Sequence, residues 1–489
     1  MTIRPPTSQG PLVRHAEPPG GQRRVLLISL NRSTVPERVF PLGLSYLSAS
    51  LRQAGHDVRW FDCLEDPGSV EGVVSEYQPD FAGISLRNID DVQIRRRETF
   101  FQPLAEVCEA IRRRGSCPVI LGGSGFSLFP ERLLELSGAD YGIQGEGEES
   151  LVALVRALSR GEDPTRVAGL VYRHNGGIVA NPPRRASEGV PLASEDRPAR
   201  LAGRYLEAGG MLNLQTQRGC SHVCAYCTYP LIEGRAARRR PPEAVAEEMT
   251  LLEAAGAQYV FLVDSIFNSS PQHVVETCEA LVRRKSRVRW GCFLRPQGLT
   301  PELMRLMVRA GLAHIEFGSD SFCDAVLAAY AKHLTFEDIL KSSQLARAEQ
   351  IDYCHYLICG GPGETWETLE AGFANSRRLP DAVVMAVVGM RIYPGTPLAR
   401  LAEREGQIGR ETDLLHPVYY LAPGLSAEAV FGRLVAFARA SPNWIVGSAD
   451  AAYERLVQRL RARGDLGPLW SYFALLQRLQ PRPSVPVPA

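Results

Sequence analysis

Residues 217–230 read QRGCSHVCAYCTYP, and three cysteines, Cys220, Cys224 and Cys227, fall within eight of those positions. A structural zinc site is closed by four protein ligands. The nearby His222 lies inside the loop at a spacing that completes such a site poorly. As buried small hydrophobes the cysteines would need apolar neighbours, whereas Gly219, Ser221 and His222 give the stretch the composition of a loop. A 4Fe–4S cluster suits the count of three better. Three thiolates hold three irons, and the fourth iron stays open to a ligand from outside the protein.

The segments around this loop predict an α/β fold. From Met211, strand candidates at 211–217, 258–264, 288–294, 313–319, 353–359 and 383–392 alternate with helical stretches at 242–255, 271–285, 301–310, 335–349, 364–378 and 397–405. Six strand–helix units predict a partial (β/α)6 barrel over 211–410, whose chemistry belongs at the C-terminal ends of its strands. The three cysteines follow the first of those strands. Upstream, apolar runs at 25–30, 58–63, 81–86, 118–124 and 141–147 alternate with helical stretches such as 41–55, 99–114 and 149–160. That pattern predicts a flavodoxin-like doubly wound domain over 23–160. A hairpin and Pro-rich linker fill 161–210, and a mainly helical segment with Trp444, Trp470, Tyr472 and Phe473 in its core fills 411–489. The polar, Pro- and Gly-rich residues 1–22 read as a disordered tail without the apolar core of a secretory signal.

The chain of 489 residues is too long for one core. Its 55 basic and 54 acidic residues leave a net charge of +1, which argues against a large nucleic-acid surface. The arginine runs at 95–97, 112–114 and 238–240 read as solvated helix ends. No stretch of about 18 apolar residues offers a membrane span. Eleven cysteines without a secretory signal point to a reducing, cytoplasmic setting, where clustered cysteines hold metal or do chemistry.

The cysteine loop matches the C-x3-C-x2-C signature of the radical S-adenosylmethionine (SAM) superfamily, including the aromatic Tyr226 before the last cysteine. Four later stretches resemble the same superfamily in order: FLVDSIFN (261–268), IEFGSDS (315–321), LICGGPGET (357–365) and MRIYPGTPLA (390–399). The resemblance implies that SAM chelates the open iron and is cleaved by one electron to methionine and a 5′-deoxyadenosyl radical. It implies SAM contacts at Tyr226, Asp264 and Ser265, at Arg295 toward the carboxylate, at Glu316, Ser319 and Asp320 toward the ribose or amino-acid end, and at Gly361. Gly360, Gly361 and Gly363 read first as a tight turn. No residue is assigned as catalytic in the narrow sense.

The first domain resembles the cobalamin-binding domain of cobalamin-dependent radical SAM enzymes, on PLGLSYLSASLRQAGHDVRWFD (41–62) and ADYGIQGEGEESLVALVRAL (139–158). That resemblance implies cobalamin contacts at Ser85, Leu86, Gly122, Gly123, Gly145 and Glu146. It places Arg32, Arg87 or Asn88 toward the lower face of the corrin. The D-x-H-x-x-G motif that supplies histidine to cobalt is absent, so cobalamin is expected without a histidine on the metal. Methylthiotransferases share the domain order but carry a second cluster on three N-terminal cysteines. Here Cys63, Cys108 and Cys117 are poorly placed for one.

The resemblance implies a methyltransferase that moves a methyl group from methylcobalamin to a substrate carbon radical. Two alternatives stand beside it. One is cyclisation, ring contraction or another C–C rearrangement on the same cofactors. The other is a non-enzymatic corrinoid carrier, disfavoured by the cysteine loop and barrel. The expected partners are a small-molecule or lipid-like substrate and an external flavodoxin- or ferredoxin-like electron donor, with no nucleic acid. Tyr353, His355, Tyr356 and Tyr393 are candidate pocket residues, and packing accounts for them equally well.

Overall fold

A computed structural model describes residues 21–34, 38–184, 197–209, 211–447, 467–468 and 470–472. The expected tail, part of the Pro-rich linker and Phe473 therefore lie outside the described residues, apart from the tail's last two positions. The chain divides into two compact units. One runs to Ala257 and takes back Arg391–Val418; the other comprises Gln258–Met390 and the chain from Tyr419.

The first unit begins with β1 (Arg24–Ser29), α1 (Leu42–Gln53), β2 (Asp57–Asp62), α2 (Val70–Tyr77), β3 (Phe81–Ser85), α3 (Pro103–Arg114) and β4 (Val119–Gly122). It continues with α4 (Ser124–Leu128), α5 (Pro130–Ser137), β5 (Tyr141–Ile143), α6 (Glu148–Arg160) and the hairpin β6 (Leu170–His174) and β7 (Gly177–Ala180). The sheet order is β2-β1-β3-β4-β5-β6-β7. The first five strands are parallel and the hairpin adds two antiparallel ones. These strands are apolar on both faces because helices cover both. Val25, Leu27 and Ile120 pack with Leu44 of α1 and Leu154 of α6 on one side. Leu26, Ile28 and Leu121 pack with Val74 of α2, Ile111 of α3 and Leu133 of α5 on the other. The strand order reverses at β1 and β3, so their C-terminal ends open the crevice where doubly wound sheets take ligands.

The same unit continues through α7 (Ala199–Gly209), β8 (Met211–Leu214), β9 (Gln217–Arg218), α8 (Tyr229–Ile232), β10 (Arg238–Arg239) and α9 (Pro242–Ala254). The segment 199–209 is a helix where the composition predicts a linker. Its buried Leu201 and Ala202 lie one turn before buried Tyr205, a period hidden among neighbouring prolines.

In the second unit β11 (Tyr259–Leu262), α10 (Pro271–Arg283), β12 (Arg289–Leu294), α11 (Pro301–Arg309), β13 (Leu312–Asp320), α12 (Asp324–Ala329), α13 (Phe336–Ala348), β14 (Asp352–Cys359), α14 (Trp366–Ser376) and β15 (Val383–Val388) follow in order. After β16 (Met390–Arg391) and α15 (Pro397–Arg404), the chain forms β17 (Tyr419–Tyr420), α16 (Ala427–Ala440) and β18 (Trp444–Val446). Strands β11, β12, β13, β14, β15 and β18 lie side by side, all parallel. The C-terminal stretch is thus helical at α16 and also adds an edge strand. Ser270, Thr300, Thr335 and Thr365 cap the helices that follow the strands, each accepting a backbone N–H three residues on.

Side chains alternate across this sheet. Phe317 stacks on His355, whose Nε2 meets Ser343 of α13 at 3.0 Å, so these residues form the sheet–helix layer. On the opposite face the C-terminal segment covers the N-terminal half of the strands. Trp470 packs with Cys354, Val383 and Ile445, and its indole N–H donates to Glu316 at 2.8 Å.

Candidate functional site

The cysteine loop is built as a closed ribbon. β9 and β10 pair antiparallel, bringing Arg218 opposite Arg238 and closing residues 219–237 into a loop. Gly219 has φ +86°, and a Cβ there would collide with the Ala236 carbonyl oxygen. Its N–H donates to Glu233 at 2.9 Å, and the Cys220 N–H donates to the Gly234 carbonyl at 3.1 Å. The Cys227 N–H donates to the Cys224 carbonyl, turning the chain between the last two thiols. Leu398 N–H reaches the Ala225 carbonyl at 2.8 Å and braces the loop from the far side.

A charged network fastens this ribbon to the first sheet. Arg218 pairs with Glu148 at 2.6 Å and lies over the Tyr46 ring at 4.5 Å. Arg238 makes a fork to Glu146. Burial opposes the Glu148 charge, but the Arg218 guanidinium outweighs it and holds the carboxyl below its ordinary range. Burial pushes the Glu233 carboxyl up. The 238–240 run is therefore not a pair of solvated ends throughout. Arg238 and Arg240 are buried, and Arg240 shares Glu248 with Arg197. Their carboxylate partners sit 8 to 92 positions away, which the local run does not reveal.

All eleven cysteines are described and none is disulfide-bonded. Among the described residues no three His, Cys, Asp or Glu side chains close on a single metal ion. Burial pushes the Cys63 thiol up to about 11 and the Cys108 thiol up to about 12.

The crevice at β1 and β3 is lined by the loops singled out in the sequence. Gly123 has φ +99°, and a Cβ there would stand 2.5 Å from the Leu86 carbonyl oxygen. Gly125 N–H donates to that same oxygen at 2.9 Å, and Ser124 Oγ donates to the Arg87 carbonyl at 2.6 Å. Gly145 N–H donates to Ser127 Oγ at 2.9 Å. Ser85 is half-buried, while Arg87, Asn88 and Arg32 are exposed. Neighbouring protein desolvates the Arg87 guanidinium and lowers its pKa, an effect that the Tyr205 and Tyr229 phenols oppose. Arg32 leans toward Cys63 instead. The Glu146 carboxylate is engaged by Arg238 and Gly122 is simply the last residue of β4. α4 packs against α8, which brings the segment after Cys227 against the loop after β4.

In the second unit, Asp264 is fully buried and Ser265 half-buried just past β11. Asn268 donates to the carbonyls of Arg295 and Gln297 and accepts the Arg295 N–H, latching the ends of β11 and β12. The Arg295 guanidinium donates to the Lys332 and His333 carbonyls. Asp320, with φ +66°, pairs with buried Lys332 at 2.7 Å. Ser319 bonds His355 at 2.8 Å and belongs to the sheet–helix layer. Glu316 faces the other way and accepts from Trp470. Gly361 N–H donates to Tyr330 at 3.1 Å, and a Cβ there would strike that phenol. Glu364 accepts from the Gly360 and Gly361 N–H groups, and burial raises its pKa to about 7.

Of the aromatic candidates, Tyr353 and His355 are buried packing. Tyr356 is half-buried on the face shared with Phe293 and Met385. Tyr393 lies under Arg391 and against Phe129. Nothing in the local sequence marks Tyr205, Tyr229, Lys332 or Arg238 as site residues. Their signal is spatial, because each gains meaning from a partner distant in sequence.

Two family profiles match the chain, the second of them spanning parts of both units. The B12 binding domain profile matches residues 28–155, and the radical SAM superfamily profile matches residues 214–372. The tryptophan 2-C-methyltransferase of Streptomyces laurentii is 26% identical over 450 residues, covering 78% of this chain and 75% of that protein. The anaerobic magnesium-protoporphyrin IX monomethyl ester cyclase of Rubrivivax gelatinosus is 26% identical over 352 residues, covering 68% and 62%. Among solved structures, the radical SAM methyltransferase TsrM from Kitasatospora setae, determined with cobalamin and a 4Fe–4S cluster bound, superposes with a TM-score of 0.81. It covers 94% of this chain and 98% of that one at 24% identity, a likeness of fold.

Proposed function

The chain belongs to the cobalamin-dependent radical SAM family, and from that premise we propose that it methylates a small-molecule substrate at carbon. The observation that carries this reading is the joining of a three-thiol loop to a doubly wound sheet by buried ion pairs within one compact unit.

The residues present fit both groups. The loop offers three soft thiol donors, the number that suits a cluster with one open iron. In the crevice Gly123 lets the loops after β3 and β4 pack backbone against backbone, and Arg87 on the first of these loops is exposed. We assign the cluster to Cys220, Cys224 and Cys227, with Tyr226 beside it. We assign cobalamin to the Ser85–Leu86–Arg87–Asn88 loop and to Gly122, Gly123 and Gly145. When bound, the cluster supplies the electron that opens the C5′–S bond of SAM, and cobalamin supplies a transferable methyl group.

The chain's own residues position and shield. The Asn268 latch fixes the loops past β11 and β12, so Asp264 and Ser265 are held at a strand end. Glu364 and Tyr330 tie down the glycine turn after β14. Glu316 and Trp470 close the sheet face at its N-terminal half, and the half-buried Phe293, Tyr356 and Met385 leave an apolar surface beyond them. A water-poor, apolar surface is what a reactive carbon radical requires. An external flavodoxin- or ferredoxin-like donor is the expected electron source. Arg295 and Glu146 stay candidates toward SAM and cobalamin beside the pairings described above.

The second reading, ring closure without methyl transfer, is kept by the likeness to the cyclase. The test is anaerobic turnover in metabolite extract with SAM carrying an isotopic label in its methyl group. The methyltransferase reading expects the label in a new product. A transformed product without label would overturn it in favour of rearrangement.

A further inference from the structure

A line of hydrogen bonds runs from the crevice of the first sheet to the first cysteine of the ribbon. Ser127 of α4 donates through Oγ to the Gly123 carbonyl at 2.9 Å and accepts the Gly145 N–H at 2.9 Å. The next residue, Glu146, receives the fork of Arg238, one arm of it at 2.6 Å. Arg238 also donates to the Glu233 carbonyl at 2.9 Å. The Glu233 carboxylate accepts the Gly219 N–H at 2.9 Å on one oxygen and the Gln215 amide at 3.3 Å on the other. Gly219 is the residue before Cys220.

A second line runs beside it. Glu148 opens α6 and pairs with Arg218, the residue before Gly219, and Arg218 Nε donates to Gln215 at 3.0 Å. Both arginines are more than nine-tenths buried. A buried cation parted from its carboxylate is left uncompensated, so each pair resists separation. Movement of the 145–148 turn is thereby passed to the ribbon rather than absorbed by side chains swinging away. A Cβ on Gly147 would stand 2.9 Å from Leu47 of α1, which leaves that turn little slack.

We propose that Ser127, Glu146 and Arg238 are positioning residues that couple the two cofactor sites, so that cobalamin in the crevice tightens the cysteine loop and the cluster tightens the crevice. This rests on the family reading above. A group that fills the crevice beside Gly123 and Gly145 fixes the 145–148 turn, and the two arginines then fix the Gly219–Cys220 backbone. The second group meets a chain already ordered, so its binding costs less conformational entropy. Coupling of this kind is reciprocal: each group raises the affinity for the other by the same factor.

The test uses the full chain under anaerobic conditions, with and without a reconstituted cluster, and titrates hydroxocobalamin by its absorption in each state. The quantity read is the ratio of the two dissociation constants. The proposal expects the cluster-loaded wild type to bind at least about fivefold more tightly, with the cluster-free chain still binding. Ser127→Ala and Arg238→Lys should bring that ratio close to one. A merely structural role weakens cobalamin equally in both states and leaves the ratio as it was. A wild-type ratio of one, or variants that keep the wild-type ratio, would overturn the proposal. Ser127→Ala removes one hydroxyl at the crevice end of the line, so it decides the matter even where Arg238→Lys fails to hold iron. Failure of the wild type to take up cobalamin in either state would sink the family reading and this proposal together, whereas a ratio of one with cobalamin bound sinks only the proposal.

Discussion

Asp90 and Arg391 stand 301 positions apart in the chain and pair at 2.8 Å with both side chains buried. Arg391 also donates to the carbonyls of Ile392 and Leu414 at 2.6 and 2.7 Å and lies over the Tyr393 ring at 4.7 Å. The guanidinium is thus satisfied on several sides, which is what allows a buried ion pair to persist. Leu415 enters the same hydrophobic core as α3 and α5. The returning segment 391–418 is therefore part of the first unit, and it is the segment that braces the cysteine loop through Leu398.

Arg391→Met should destabilise the first unit by roughly 3–5 kcal/mol, since it leaves Asp90 buried and uncompensated. Arg391→Lys should recover part of that loss, keeping charge but not the fork. Urea unfolding of both variants checks the order. Equal stability of Arg391→Met and wild type would show that the pair contributes nothing.

Gly219→Ala should fold yet hold iron poorly. The residue would keep φ near +86° against the Ala236 carbonyl, so the loop has to open to admit the methyl group. Circular dichroism should stay native while iron and sulfide content after anaerobic reconstitution falls severalfold. Full iron content would contradict the geometry described for the ribbon.

Glu364 makes stability depend on pH with a defined sign. Burial raises its pKa from 4.5 to about 7, so the folded state binds the proton more tightly than the unfolded chain. Its contribution is fully present below about pH 4.5, is lost as pH rises toward 7, and stays lost above. A shift of that size corresponds to roughly 3 kcal/mol. Glu364→Gln has no proton to lose there. Denaturant titrations across this window should show wild type losing ground steadily to the variant, and a constant gap would refute the assignment.

The parts of this protein legible in its sequence are those whose physics is local. The cysteine loop declares itself by the number and spacing of its thiols, and the parallel strands by short apolar runs. Gly219 and Gly123 mark places where backbone comes too close for a side chain. The rest depends on partners far along the chain. Glu316 reads from its strand position as a SAM contact, while the Trp470 indole that donates to it comes 154 positions later. Arg295 reads from its strand end as a carboxylate binder, while the Lys332 and His333 carbonyls it also meets lie 37 and 38 positions on. Arg238 reads as one of a solvated run until Glu146 appears. The strand Trp444–Val446 is too short to show a period of its own.

The central claim is that two residue sets in one chain hold two separate cofactors, and metal analysis tests it most directly. Wild-type protein and a Cys220/Cys224/Cys227→Ala variant are reconstituted anaerobically with iron, sulfide and hydroxocobalamin, and iron and cobalt are counted per chain. The account predicts about four irons and about one cobalt in the wild type, and loss of the iron with retention of the cobalt in the variant. Iron undiminished in the variant, or a wild type that takes up no cobalt, would contradict it.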